Sequence, residues 1–422
     1  MSSTATRTRV RAIPAWLVGG GAIAVAMGVM NLTTYGFTML AARLLGPAEY
    51  GALAAVMGLL LVVNVVSLGL QATGARRVAA APHDRHRIES EVLATTYRAA
   101  AGLGVLCLVL VPLVSALLEL DSWGTAALIA ATAVPLTVMG GLAGILQGEQ
   151  RWLSLGAIYL CVGLARIALG GVALLVAPTT FSAMVGVTLG AVVPAVVGWF
   201  ALRRPGRQAE PQALAPPASP APAPRGVLHE TMHNSHALLA FFALSNVDVV
   251  IARTVLPEHQ AGLYAAGLIL AKAVLFLPQF VVVVAFPSMS RAPGARMHLR
   301  GVGLILVIGA VTTGLVAALS WLAVIFVGGT EYAAIQERLW AFAVLGTLLA
   351  AIQLLIYGVV ARQHRRAVYV VWAALVLIAA ASPWVASPTF LVTVVIGVDA
   401  ALFVTLLLSS TRRTTSGSPH PV

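Results

Sequence analysis

Ala42–Gly51 reads ARLLGPAEYG, and about 210 residues further on Ala252–Gly262 reads ARTVLPEHQAG. In each phrase an Arg closes an apolar stretch (Arg43, Arg253) and a Pro follows four residues later (Pro47, Pro257). An acid comes next (Glu49, Glu258), and a Gly then opens a second apolar stretch (Gly51, Gly262). Such an echo points to a duplicated membrane bundle, an arrangement in which a polar path runs between the repeats.

Composition agrees. The chain is 59% hydrophobic and 9% charged, where a soluble domain carries about 25% charged residues. Twelve apolar runs approach the ~20 residues that span a bilayer: 15–41, 51–74, 98–118, 125–146, 155–177, 181–202, 235–253, 261–287, 301–327, 338–360, 367–386 and 389–409. The first is too long, and lacks the small-residue cleavage site, to be a removable signal. The fold class expected is therefore an all-α polytopic membrane protein of about 12 helices in two six-helix bundles.

The basic residues set the orientation. With the N-terminus placed in the cytoplasm, 21 of the 26 Lys and Arg fall in inside segments, including Arg76, Arg77, Arg85, Arg87, Arg98, Arg151, Arg203 and Arg204. Arg43, Arg253 and Arg338 fall outside, and Arg166 and Lys272 lie within apolar runs. This alternation follows the positive-inside rule at every gap and puts both termini in the cytoplasm. The net charge of +12 is spread over short loops, so orientation and anionic-lipid contact explain it and nucleic-acid binding is not expected. Cys107 and Cys161 lie inside runs and suggest neither a disulfide framework nor a metal cluster.

Residues 203–226 (RRPGRQAEPQALAPPASPAPAPRG) lack apolar periodicity and read as an extended cytoplasmic linker. The organisation expected is an N-terminal bundle over 1–202, the linker, and a C-terminal bundle over 227–422. Both bundles start inside, so the repeat axis runs along the membrane normal.

The stretch Asn31–Leu60 (NLTTYGFTMLAARLLGPAEYGALAAVMGLL) resembles the first helix pair of Wzx-type oligosaccharide flippases of the multidrug/oligosaccharidyl-lipid/polysaccharide (MOP) superfamily. Ser245–Arg291 is similar to the seventh and eighth helices of that family, with an Asp, Gly-x-Tyr-x-Ala and a Phe-Pro exit, and Leu146–Gly170 to its fourth-to-fifth connection. The resemblance implies a V of two bundles around a cavity, carrying polyprenyl-pyrophosphate-linked sugars between leaflets. It implies no cofactor, and as partners an anionic lipid-linked oligosaccharide, membrane lipids, and a polysaccharide polymerase and glycosyltransferases. Lipid II flippases of the superfamily have about two further helices that this chain lacks. Relatives that expel cationic drugs use acidic cavities, whereas here Arg166 and Lys272 balance Asp248 and Asp399; a cation-coupled drug or metabolite antiporter stays the alternative.

An ionisable group at a helix centre costs at least ~2.5–3.5 kcal/mol, so it marks function by default. Arg166 and Lys272 are expected to line the cavity and hold phosphate, Arg by a bidentate fork and Lys as a point charge. Pairing with an Asp between helices is the competing account. Asp248 and Asp399 are candidates for ion coupling or pairing, Asp248 equally as a partner of Arg253. Arg43 and Arg253 are candidate substrate contacts, which interfacial snorkelling explains as readily. Asn31, Asn64 and Gln71 suit sugar hydroxyls or helix-to-helix hydrogen bonds.

His229–His233 reads HETMH, the zinc-protease pattern in which His229 and His233 bind metal and Glu230 activates water. It lies at a polar run start, no third ligand is evident, and an intramembrane protease is a remote alternative. No Ser/His/Asp set, P-loop or dinucleotide fingerprint occurs, so a carrier rather than an enzyme is expected.

Overall fold

A computed structural model describes the backbone of residues 15–80, 84–204, 227–289, 295–361 and 365–411, with side chains for 21–80, 84–204, 235–275, 301–356 and 368–409. The helices are α1 (Ala15–Val63), α2 (Val65–Ala80), α3 (Arg85–Val109), α4 (Val111–Leu117), α5 (Trp123–Gly148), α6 (Trp152–Val176) and α7 (Thr180–Arg203) in the first half. The second half holds α8 (Val227–Val255), α9 (Glu258–Met289), α10 (Ala295–Ala318), α11 (Ser320–Val327), α12 (Leu339–Ala361), α13 (Arg365–Ala380) and α14 (Pro388–Thr411). Short 3-10 segments cover Thr330–Arg338 and Ser382–Trp384, and no strand occurs among the described residues. The linker from 205 to 226 and the side chains of His229, Glu230 and His233 lie outside the described residues.

Each apolar run coincides with helix, and the differences are local breaks. Nine helical stretches among the described residues are long and apolar enough to cross a membrane, the first running 60 residues from Gly21 to Ala80. At 1.5 Å per residue an unbroken helix of that length would measure ~90 Å, three times the hydrocarbon thickness. The chain instead breaks at Gly46 (φ 69°, ψ 175°), a conformation that a residue with Cβ rarely adopts. The expected turn between the first two runs is thus a single-residue break, with Pro47 starting the next limb as Pro does at a first helical position. Lesser breaks fall at Asn64, at Leu110 ahead of Pro112, and at Leu319.

Glycines set which helices touch. On α5, Gly140, Gly144 and Gly148 recur every fourth residue and meet Ser67, Gln71 and Val78 of α2 in turn, so α2 and α5 run parallel in close contact. Without a hydrophobic force between helices in lipid, such small-residue stripes supply the packing. The second half repeats the pairing: Gly267 of α9 meets Phe342, and Gly346 of α12 meets Ala271. A Cβ on Gly144 would lie 2.6 Å from the Gln71 carbonyl oxygen. Gly144→Val should therefore cost about 1–3 kcal/mol through overpacking, read as a lower melting temperature of the purified protein in detergent.

The largest apolar core joins both halves, from Phe37, Tyr50 and Leu53 to Phe241, Tyr264 and Phe342. A second, around Met139, Leu155 and Ile158, lies wholly in the first half. The two halves meet closely where α1 packs on α8 and α9, and the two sequence phrases lie within that contact, Gly51 against Gly262.

Candidate functional site

Arg166 lies midway along α6, two turns beyond Tyr159 on the same helix face. The backbone at Arg166 packs closely on Gly190 of α7. Arg166 is half-buried, and among the described residues no carboxylate approaches within ion-pair distance of it. The interhelical pairing with Asp248 or Asp399 considered for Arg166 is not what the structure contains.

In the second half, α8, α9 and α14 bring a polar cluster together. Asp248 is 2% exposed; its Oδ2 accepts the Tyr264 hydroxyl at 3.0 Å and its Oδ1 the Val249 amide at 2.8 Å. Lys272 Nζ donates to Asn246 Oδ1 at 2.8 Å and does not form an ion pair with Asp248. Asp399 is 1% exposed, and neither of its carboxylate oxygens has a hydrogen-bond partner among the described residues. A buried carboxylate without donors carries a large desolvation cost unless something neutralises it.

Asp248 is not the partner of Arg253. The Arg253 guanidinium donates through Nε to the Leu118 carbonyl (2.9 Å), and through Nη2 to the Glu119 carbonyl (3.1 Å) and Glu258 Oε1 (2.9 Å). It is 5% exposed, too buried for snorkelling. Arg43 is exposed, and its Nη2 donates to the Ile325 carbonyl at 2.6 Å. Around them the phrase ARLLGPAEYG is consumed residue by residue. Glu49 Oε2 accepts the Thr180 amide at 2.7 Å and the Thr180 hydroxyl at 2.5 Å, a carboxylate placed at the positive end of α7. Tyr50 packs edge-on against Tyr332, whose hydroxyl donates to the Ala42 carbonyl at 2.8 Å. A cavity of about 260 Å³ lies here, lined by Glu49, Glu119, Asp121, Arg253 and Glu258 among others.

The remaining candidates separate. Gln71 Nε2 donates to Gln147 Oε1 (2.9 Å) and Tyr159 Oη (2.7 Å), tying α2 to α5 and α6 beneath the Arg166 face. Asn64 sits at the break between α1 and α2 with its side-chain oxygen buried and without a partner among the described residues. Asn31 is half-buried on the first limb of α1. At the arginine-rich end, Glu149 binds Arg85 and Arg151, and Arg151 Nη2 donates to the Ala201 carbonyl at 2.5 Å. Burial, reinforced by the neighbouring Arg85, holds the Arg151 pKa below its ordinary value. Sequence reasoning left Tyr264, Tyr159 and Tyr332 unassigned; Tyr264 stands within the Gly-x-Tyr-x-Ala motif, and the other two carried no local signal.

Apolar helices of membrane-spanning length with polar side chains buried among them define a multi-pass membrane protein. The family model of the polysaccharide biosynthesis proteins matches residues 17–292, and the chain belongs to that family, the Wzx-type flippase family of the MOP superfamily. No curated protein matches the sequence. Among solved structures, the inward-facing conformation of a multidrug resistance MATE family transporter of the MOP superfamily is 12% identical with a TM-score of 0.68, over 94% of this chain and 98% of that one. The outward-facing conformation of such a transporter gives 0.63 at 12% identity, over 94% and 96%. A MATE transporter in the bent conformation gives 0.61 at 11% identity, over 94% and 95%. At this identity the likeness is one of fold.

Proposed function

We propose that this chain flips polyprenyl-(pyro)phosphate-linked oligosaccharide across the cytoplasmic membrane in cell-surface polysaccharide biosynthesis, by alternating access. The observation that carries this reading is Arg166: a fixed positive charge midway along α6 that is not spent on an acid among the described residues. A head group bearing pyrophosphate needs such a charge to cross ~30 Å of hydrocarbon, and the planar fork of Arg fits phosphate oxygens in pairs. The lipid tail stays in the bilayer while the glycan passes between bundles at 1–202 and 227–422.

Asp248 and Asp399 then serve as the coupling site. The unpartnered oxygens of Asp399 take up a proton or cation, and Lys272, held by Asn246, senses the change through Asp248. The arginine-rich end faces the cytoplasm with both termini and residues 203–226, as the positive-inside rule requires. The end holding Arg43 and Arg253 faces outward. A polymerase and glycosyltransferases stand on either side of this step as consumer and supplier of the cargo.

Export of labelled lipid-linked glycan by membrane vesicles tests the reading against efflux of a cationic dye. Glycan should cross and dye should not. Dye efflux without glycan transport would move the protein to the antiporter class.

A further inference from the structure

The two sequence phrases do more than echo one another: their arginines reach in opposite directions across the same boundary. Arg253, at the end of α8, binds the carbonyls of Leu118 and Glu119, where α4 ends in the first half. Arg43, at the end of the first limb of α1, binds the carbonyl of Ile325, in the last turn of α11 in the second half. Runs three and nine are the third runs of their respective halves, so each repeat's first helix grips the end of the other repeat's third.

The receiving ends resemble one another, one residue out of register. Glu119 and Gly329, again about 210 residues apart, both have positive φ, 47° and 97°. In each, an amide reaches back five residues, Leu120 to the Ser115 carbonyl at 3.0 Å and Gly329 to the Val324 carbonyl at 2.9 Å. At Glu119 the left-handed residue lies inside the loop that Leu120 closes, as in a Schellman end, whereas the loop back to Val324 is closed by Gly329 itself after an extended Gly328; in both the helix stops and its last carbonyls lack intrahelical donors. Carbonyls at a helix C-terminus carry the negative end of its dipole, so a guanidinium is their natural partner. Between the two arginines, Gly51 and Gly262 meet backbone to backbone. The glycines that end the two phrases therefore mark the place where the repeats touch.

We propose that Arg43 and Arg253 form a reciprocal clasp that holds the outer ends of the two bundles together and must release for outward opening. This inference rests on the alternating-access reading above. The clasp needs no acid from the opposite half; it grips backbone carbonyls, which no side-chain change in the partner helix removes. Its two arms are unequal. Arg253 is buried with three acceptors, one of them Glu258 of its own half, whereas Arg43 is exposed with one.

Paired spin labels at Pro178→Cys and Ala334→Cys, exposed at the outer end of the first and second halves, read the opening directly once Cys107 and Cys161 are replaced by Ser. From the strengths of charged hydrogen bonds, Arg253→Gln should raise the wide-distance population about tenfold and Arg43→Gln about threefold. Arg43→Gln alters an exposed side chain and decides the matter alone if Arg253→Gln does not fold. A wild-type distance distribution in well-folded Arg43→Gln, or in well-folded Arg253→Gln, overturns the clasp. Because the readout is a distance, it stands whatever the cargo proves to be. Unmoved distances in a protein that flips glycan would remove the clasp and leave the function intact.

Discussion

Gly262→Ala should abolish glycan export while the protein still inserts and accumulates at wild-type abundance. A Cβ built on Gly262 overlaps the Pro47 carbonyl, and that contact lies between the halves, in neither bundle's own interior. Nothing flexible stands there to yield: the obstacle is backbone, fixed by the Gly46 break on one side and the second limb of α1 on the other. One methyl group thus acts as a wedge that excludes the closed outer state and leaves each bundle intact. Spin labels at the outer end should report a permanently wide separation, and transport should fall at least about 100-fold, since a cycle lacking one of its two end states cannot turn over. Gly51→Ala should be milder, because its Cβ would meet Gly262 N at 2.9 Å and Gly262 Cα at 3.1 Å, a crowding that a small helix shift relieves. Wild-type export by Gly262→Ala would mean that the two phrases are not in contact during transport.

Arg166→Ala should lower export at least about 100-fold, the lower end of the loss expected when two charge-assisted hydrogen bonds of about 1.5–3 kcal/mol each vanish. Folding should survive, because Arg166 forms no ion pair among the described residues on which the bundle depends; removing a charge from mid-membrane tends, if anything, to favour insertion. Arg166→Lys should keep part of the activity, retaining charge but losing the fork. Lys272→Ala should be weaker on cargo and stronger on coupling, since Lys272 is committed to Asn246 beside Asp248. Glycan export measured at matched protein abundance, with the ion gradient varied, separates the two effects.

The helices were legible in the chain because membrane-spanning length and the distribution of Arg are one-dimensional signals. Every run had its helix, and the ends were mostly within a few residues. What the pattern could not supply was partnership. Asp248 and Arg253 are five residues apart and of opposite charge, which invites pairing, yet on α8 that spacing puts them on different faces. Arg253 therefore turns to the end of α4 and Asp248 to Tyr264. Likewise the register of Gly140, Gly144 and Gly148 against α2 emerges only with the helix pairing in hand. The opening phrase is the instructive case. Its recurrence was plain, and Arg43 was open to being a surface residue or a substrate contact. That both arginines end on carbonyls of the opposite repeat depends on helices that stop at the positive-φ residues Glu119 and Gly329, which no residue-type rule identifies for a Glu.

The central claim is that a lipid-linked glycan crosses by way of Arg166. Its most direct test is a proteoliposome assay in which polyprenyl-pyrophosphate oligosaccharide, fluorescent on its sugar, is quenched from outside before and after protein-mediated movement. The account predicts rapid movement to the far leaflet with the wild-type protein, little above protein-free liposomes with Arg166→Ala, and an intermediate rate with Arg166→Lys. Equal rates for wild type and Arg166→Ala, or no movement of the glycan by wild-type protein that expels a cationic dye, would contradict it.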